Sequence, residues 1–276
     1  MAEAFSLYEK ALEYFPESPE ILNTLAGLSL QSGEVEQSIR YYRDSLVLDD
    51  TDSTKAHLGL ALLGNQQNEE AYEIFNSIKS ITPLSNIGLG ISRILTGQDL
   101  AKAISLIIEF KHHPNYNIDY FIGLAHHNMG KHNAAIADFR WDLSHSQGNF
   151  ALGMQYYLMQ SSDLALQYFL HAKSLLLEEN EKNSVHDSEL ILKNIDYYVM
   201  LIENDDLTDR VDVLKKYLRK NKTFDGYITL SVLIHELEGY TNDFAKAIRG
   251  AKKLTPKKDV EIHEQLDTWI EALEAE

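Results

Sequence analysis

The chain has 276 residues, 44% of them hydrophobic, with 25 Lys plus Arg against 42 Asp plus Glu and no cysteine. The missing cysteines exclude a disulfide frame, a thiolate nucleophile and any thiolate zinc or iron-sulfur site, and the apolar content excludes wholesale disorder. A formal charge of -17 opposes nucleic acid or an anionic membrane as a general partner. The acidity is uneven: Met1 to Asp50 has 10 acids and 3 bases, Thr51 to Leu175 has 10 and 8, and Leu176 to Glu276 has 22 and 14. The middle is therefore nearly neutral.

Apolar residues recur at helical spacing almost throughout, and alternating β-branched runs are scarce, so the chain is predicted to be all-α. Its first piece carries Ala4, Tyr8 and Ala11 before Pro16, the pattern of a second hairpin helix. Turn-type clusters then divide five helix pairs, at Gln31–Gly33, Gly64–Gln66, Thr96–Gln98, Met129–Lys131 and Gln160–Asp163. Pro16, Pro83, Pro114 and Pro256 are expected to stop helices and Pro19 to open one. The first helix after Pro83 is expected to be about a turn short. Beyond Leu177, Glu178–Asp187 reads as a polar connector. Helices follow over Ser188–Glu203, Leu207–Lys220, Asp225–Leu237, Thr241–Lys253 and Asp259–Ala275. The hairpin from Asp225 to Pro256 looks like a degenerate further unit. The last helix spaces Ile262, Leu266, Trp269, Ile270 and Leu273 as an amphipathic cap does.

Overlaying the five pairs exposes a common pattern. The first helix carries an apolar residue followed by a very small one: Leu25 and Ala26, Leu58 and Gly59, Leu89 and Gly90, Ile122 and Gly123, Leu152 and Gly153. Twelve residues after the small one stands another, Ser38, Ala71, Ala135 or Ala165, with Ala103 one place late. Four further on is a bulky residue, Tyr42, Phe75, Ile107, Phe139 or Phe169. The small residue lets the two helices approach closely, and the bulky one plugs the gap to the next hairpin.

From Ala2 to Leu177 this pattern resembles the tetratricopeptide repeat, a helix-turn-helix unit of about 34 residues. The large aromatic that usually opens the unit is absent, and most units lack the closing proline. The resemblance implies a right-handed superhelical solenoid of antiparallel helix hairpins, with repeats over 1–177, the connector over 178–187, and degenerate helical repeats with a C-terminal capping helix over 188–276. It also implies that the first helices line a concave groove that holds a segment of a partner protein. On that carry-over the partner-binding positions are Ile87, Ile91 and Ile94 in the third unit, Tyr120, Phe121, Leu124, His127 and Asn128 in the fourth, and Phe150, Met154 and Tyr157 in the fifth. Asn23, Gln31, His57 and Leu63 are the corresponding inward positions of the earlier units. Family members that hold chaperone C-terminal tails use Lys, Asn and Arg at set places. The corresponding positions here include Asn23, Gly27, Ser53, His57 and Phe121, so chaperone tails are disfavoured.

No catalytic constellation is read. Gly88–Arg93 lacks the third glycine and the strand of a dinucleotide loop, and Gly123–Lys131 has six residues between its glycines where a phosphate loop has four. His235 and Glu236 begin a zinc-protease motif whose second histidine is replaced by Gly239. His112, His113, His126, His127 and His132 cluster within one unit, but neighbouring helical histidines diverge by about 100° and seldom share one ion. Lys215, Lys216, Arg219, Lys220 and Lys222, and then Lys252, Lys253, Lys257 and Lys258, read as cations near helix ends.

The expectation is a non-enzymatic protein-interaction scaffold or adaptor without metal or cofactor. Its partner is a protein or peptide segment, held apolar side down. The alternative is a regulatory or substrate-recruiting arm of a larger enzyme or multiprotein complex, since the chain starts just before the second half of a repeat. No run approaches the roughly 18–20 apolar residues of a membrane span, and the first residues lack a basic-then-apolar signal, so no membrane insertion and a cytoplasmic location are expected.

Overall fold

The computed structural model describes residues 2–113, 117–141, 143–182, 188–204, 206–239, 241–256 and 259–274. Among them every regular element is helical. Among the described residues no helix is long and apolar enough to cross a membrane. The chain divides into two compact units, 1–142 and 143–276.

The first unit opens with α1 (Ala2–Tyr14). Four hairpins follow: α2 (Pro19–Gln31) with α3 (Val35–Leu48), α4 (Asp52–Gly64) with α5 (Asn68–Ser77), α6 (Pro83–Leu95) with α7 (Leu100–Ile107), and α8 (Ile118–Asn128) with α9 (His132–Phe139). A 3₁₀ turn, Ile108–Phe110, extends α7. Each helix packs on its successor, and α4 also touches α6, as α6 touches α8. First helices are thus neighbours along one face. The second unit pairs α10 (Ser146–Leu158) with α11 (Ser162–Lys182) and α14 (Phe224–Glu238) with α15 (Asn242–Leu254). Between these pairs, α12 (Ser188–Glu203) packs chiefly on α11 and α13 (Leu207–Leu218) chiefly on α14, while α16 (Val260–Glu274) covers α15.

The five turns inside the repeated hairpins share one backbone solution. Each places one residue in the left-handed region: Gly33, Gln66, Gly97, Gly130 and Gln160. The next residue donates its N–H back across the turn, from Glu34 to Ser29, Gln67 to Leu62, Gln98 to Arg93, Lys131 to His126 and Ser161 to Tyr156, all at 2.8–2.9 Å. These bonds satisfy carbonyls that a helix end leaves open. Glycine takes that conformation freely, whereas Gln66 and Gln160 hold it at a cost of about 1–2 kcal/mol each.

The small and bulky positions form the core. Ser38, Ala71, Ala103, Ala135 and Ala165 are fully buried, as are Ile107 and Phe169. A Cβ built on Gly59 would lie 2.6 Å from the Phe75 ring, and one on Gly123 or Gly153 equally close to Phe139 or Phe169. Gly90 meets Ile107 at 2.3 Å, the same contact displaced by the one-residue shift read from the sequence. Close helix approach therefore depends on these glycines.

Three expectations change. Pro83 does not stop a helix. Helix α5 ends at Ser77, and Pro83 is the first residue of α6, where its missing N–H costs nothing; Thr82 caps the helix by accepting from Ser85 N at 3.1 Å. Helix α6 consequently has 13 residues, as many as α2 and α4, and is not short. Helix α11 continues through Glu178 to Lys182, residues placed in the connector by their polarity. One face of that stretch is anchored: Glu179 accepts from Ser146 N at 2.9 Å and from Ser146 Oγ at 2.6 Å. The rest of the connector, 183–187, and Pro114, Lys257, Lys258 and Ala275 lie outside the described residues.

Candidate functional site

Four-residue steps along α2 place Asn23, Gly27 and Gln31 on one side, and a four-residue step along α4 does the same for Ser53 and His57. Between them lies a cleft of about 450 Å³ whose wall is completed by Tyr42 and Thr54. The amide of Asn23 donates to Thr54 Oγ1 at 3.0 Å, and its own oxygen is buried without a donor among the described residues. Tyr42 stacks on His57, with ring centroids 6.0 Å apart and an interplanar angle of 22°. Burial pushes the Tyr42 phenol up, so it is a neutral donor. A Cβ on Gly27 would make only ordinary van der Waals contact with the Tyr42 hydroxyl, 3.9 Å away.

His57 is tethered through Nδ1, 2.8 Å from the Ser53 carbonyl. A carbonyl only accepts, so Nδ1 carries the proton and Nε2 of the neutral ring is left to accept from a ligand. His57 and Ser53 also line a second cleft of about 370 Å³, bounded further on by Ser80, Thr82 and Leu84. Asp52 fastens that end, accepting from Ser80 N at 2.7 Å and Lys79 N at 3.2 Å. The Ser80 contacts hold its carboxyl below the usual range. The two clefts share Ser53 and His57 and so adjoin each other along α2 and α4 to the start of α6.

The apolar positions carried over from the resemblance fare differently. Ile87 and Ile94 are only 2% and 1% exposed and belong to the core under α6 and α8, so they cannot face a partner. Ile91, Phe121 and Leu124 pack against that core with an edge exposed, His127 is half-buried and Asn128 is exposed. Tyr120 leans on Phe121 and Phe139, with ring centroids 5.5 and 5.7 Å away, and burial raises its pKa. Leu63 is half-buried beside the core of the second hairpin.

In the second unit, Phe150 packs on Phe169 and Tyr198, and Tyr157 meets Tyr198 edge-on at 5.2 Å. Met154 is half-buried on the same helix. Tyr198 stacks on Phe169 at 5.3 Å and Tyr197 is 6% exposed. Burial, reinforced by Asp225 and Tyr157, pushes the Tyr198 phenol up to about 12, and burial pushes Tyr197 up as well. Unfolded tyrosine ionises near ~10. The folded unit holds these protons more tightly than the unfolded chain, so their contribution is complete below ~10 and is lost as pH rises from there towards about 12. Denaturant midpoints followed up this range should fall with the appearance of tyrosinate absorbance. The double variant Tyr197→Phe, Tyr198→Phe should flatten the fall; an equal fall in the variant would show that these phenols are not its source.

Two of the clustered histidines, His112 and His126, are paired with carboxylates. His126 Nδ1 lies 2.7 Å from Asp138 Oδ2, and Lys111 Nζ lies 2.6 Å from Asp138 Oδ1. Asp119 accepts from the backbone N–H of His112 at 2.7 Å, which holds His112 in a left-handed conformation, with its ring 3.9 Å from that of Trp141. His127 and His132 approach each other at 6.4 Å between centroids. Among the described residues no group of three His, Asp or Glu gathers as a metal site would require.

Residues 1–57 match the sequence model of the tetratricopeptide repeat. No curated protein sequence matches the chain. Among solved structures, the crystal structure of the APC/C hetero-tetramer Cut9-Hcn1 aligns with 97% of this chain at a TM-score of 0.62 and 14% identity. The chain covers 52% of that relative, about half its length. A tetratricopeptide repeat protein from Parabacteroides merdae ATCC 43184 aligns with 91% of this chain and 98% of its own, at a TM-score of 0.59 and 14% identity. This is a tetratricopeptide-repeat fold. The human IFIT1 dimer with PPP-AAAA shares it at a TM-score of 0.50 and 16% identity, over 92% of this chain and 68% of that one.

Within the tetratricopeptide units, sequence reasoning overlooked Asp119, Asp138 and Trp141, which is 64% exposed. For Asp138 a signal existed. The residue before the bulky core position is Tyr41, Ile74, Leu106 and Tyr168 in the other four units, so a carboxylate there needs buried cations beside it.

Proposed function

We propose that the chain is a non-catalytic protein-interaction scaffold or adaptor that holds an extended partner segment along the face made by its first helices. The observation that carries this reading is the groove through Asn23, Gln31, Tyr42 and His57, which continues past Ser53 to Thr82. Its walls offer amide, phenol and imidazole groups that can exchange hydrogen bonds with a peptide backbone. The exposed edges of Ile91, Phe121 and Leu124, on α6 and α8 of the same face, supply apolar contacts further along.

A peptide selected from a displayed library against the whole chain should bind the double variant Gln31→Ala, His57→Ala at least about tenfold more weakly, at unchanged helical circular dichroism. Undiminished binding would sink the groove reading.

One observation favours a second reading, that of a recruiting arm in a larger assembly: a solved structure that aligns with 97% of the chain is that of a hetero-tetramer. The native mass of the endogenous protein separates the two, since a permanent subunit migrates only with its complex.

A further inference from the structure

Helices α13, α14 and α15 border an open hollow of about 540 Å³, within the ~300–1,000 Å³ of ordinary ligand pockets. Its floor is apolar: Tyr227 is half-buried, and the core residues Leu218, Leu230 and Ile234 back it, with only 3%, 6% and 1% of their surface exposed. Its rim is cationic. Lys215 and Lys246 share the single carboxylate Asp243, at 3.1 and 2.9 Å. Arg219 and Lys222 also line the cavity, and among the described residues neither has a carboxylate partner. Four cations thus face one anion in a chain whose net charge is -17 and whose last 101 residues carry 22 acids against 14 bases. Cations at the end of α13 suit its dipole. The dipole does not explain why Lys246 faces them from α15, or why an apolar hollow lies between.

We propose that this cavity is a second docking site, taking an acidic peptide segment that carries one apolar side chain. The apolar side chain sits over the half-buried ring of Tyr227, and the flanking carboxylates pair with Arg219 and Lys222 on one side and compete with Asp243 for Lys246 on the other. Charge complementarity selects this occupant. A compact polyphosphate seated at the centre meets Asp243, whereas carboxylates spaced along a peptide pass to either side of it. A long nucleic acid meets the net charge of the chain. The cations stand on α13, on the turn that follows it and on α15, outside the groove proposed above, so the two sites stand or fall separately.

The test uses the whole chain and fluorescein-labelled peptides of the form acetyl-Asp-Glu-X-Glu-Asp-amide, with X as Leu, Phe, Met or Gly, read by fluorescence anisotropy. Peptides with an apolar X should bind, more weakly as salt rises, and the glycine peptide should bind far less. The double variant Arg219→Glu, Lys222→Glu, at two exposed positions, should weaken binding by about tenfold or more without moving the melting curve. The milder Arg219→Ala, Lys222→Ala should fall between. The groove variant Gln31→Ala, His57→Ala should bind these peptides as the wild type does. Failure of every peptide to bind, equal binding of the glycine peptide, displacement by tripolyphosphate at the same concentration, or binding indifferent to charge reversal would each overturn the proposal and leave the groove untouched.

Discussion

Replacing Phe75 with alanine should cost the first unit about 3–5 kcal/mol, the range for losing a buried aromatic. The ring is 2% exposed and touches glycine on two sides. A Cβ on Gly59 would approach it to 2.6 Å and one on Gly88 to 2.1 Å. Gly59 belongs to the first helix of the same hairpin and Gly88 to the first helix of the next, so one ring couples two repeats. Core cavities cost less when neighbouring side chains can relax into them. Here two of the walls are glycines, with nothing to move in. The same geometry sets the sign of a double-mutant cycle. Gly88→Ala alone forces the ring aside and is destabilising, but beside Phe75→Ala its methyl occupies vacated space, so the double variant should be more stable than the sum of the singles. Urea unfolding of the four proteins measures both effects. A loss below about 1 kcal/mol for Phe75→Ala, or strict additivity, would show that the ring is not the wedge between these repeats.

These contacts explain which features were legible in the sequence. Small and bulky partners inside a hairpin, such as Gly59 and Phe75 or Gly153 and Phe169, recur at one spacing because every hairpin closes in the same way. Overlaying units therefore exposes them. The turns were legible as breaks, but glycine marks only three of the five left-handed positions, and Gln66 and Gln160 adopt the same conformation because the flanking helices impose it. Pro83 was ambiguous because a proline between two helical patterns serves equally to end one or to open the other, and only the Thr82 cap decides. Candidate site residues were the least legible. Apolar periodicity places Ile87, Ile91 and Ile94 on one side of α6, but it does not report how much of that side the adjacent α8 covers. The structure divides them, with two in the core and one at its edge. Asn23, Gln31 and His57 were legible as inward positions because their side is fixed by register alone. Their assembly into a groove depends on Tyr42, which the overlay marks only as a core plug, and on Thr54, which it does not mark at all.

Asp138→Ala should destabilise the same unit by about 3 kcal/mol, the lower end of the range for a buried ion pair that loses one partner. The carboxylate is 4% exposed, and it holds both Lys111 and His126, which are 27% and 22% exposed. Partial access to water softens the loss for those two groups, but alanine leaves both without their acceptor. The carboxylate itself need not be a net source of stability. Bringing it out of water costs several kcal/mol, which its partners only offset. The neighbouring repeats indicate what the site tolerates, since the equivalent positions are Ile74 and Leu106, both packed against the apolar core. The triple variant Asp138→Leu, Lys111→Met, His126→Leu removes donors and acceptor together and should recover to within about 1 kcal/mol of the wild type. Asp138→Asn is intermediate, because its amide oxygen still accepts from one donor while the charge is gone. If the triple variant were as unstable as Asp138→Ala, the cluster would have to contribute through its own hydrogen bonds, and the apolar residues of the other repeats would not be valid substitutes for it.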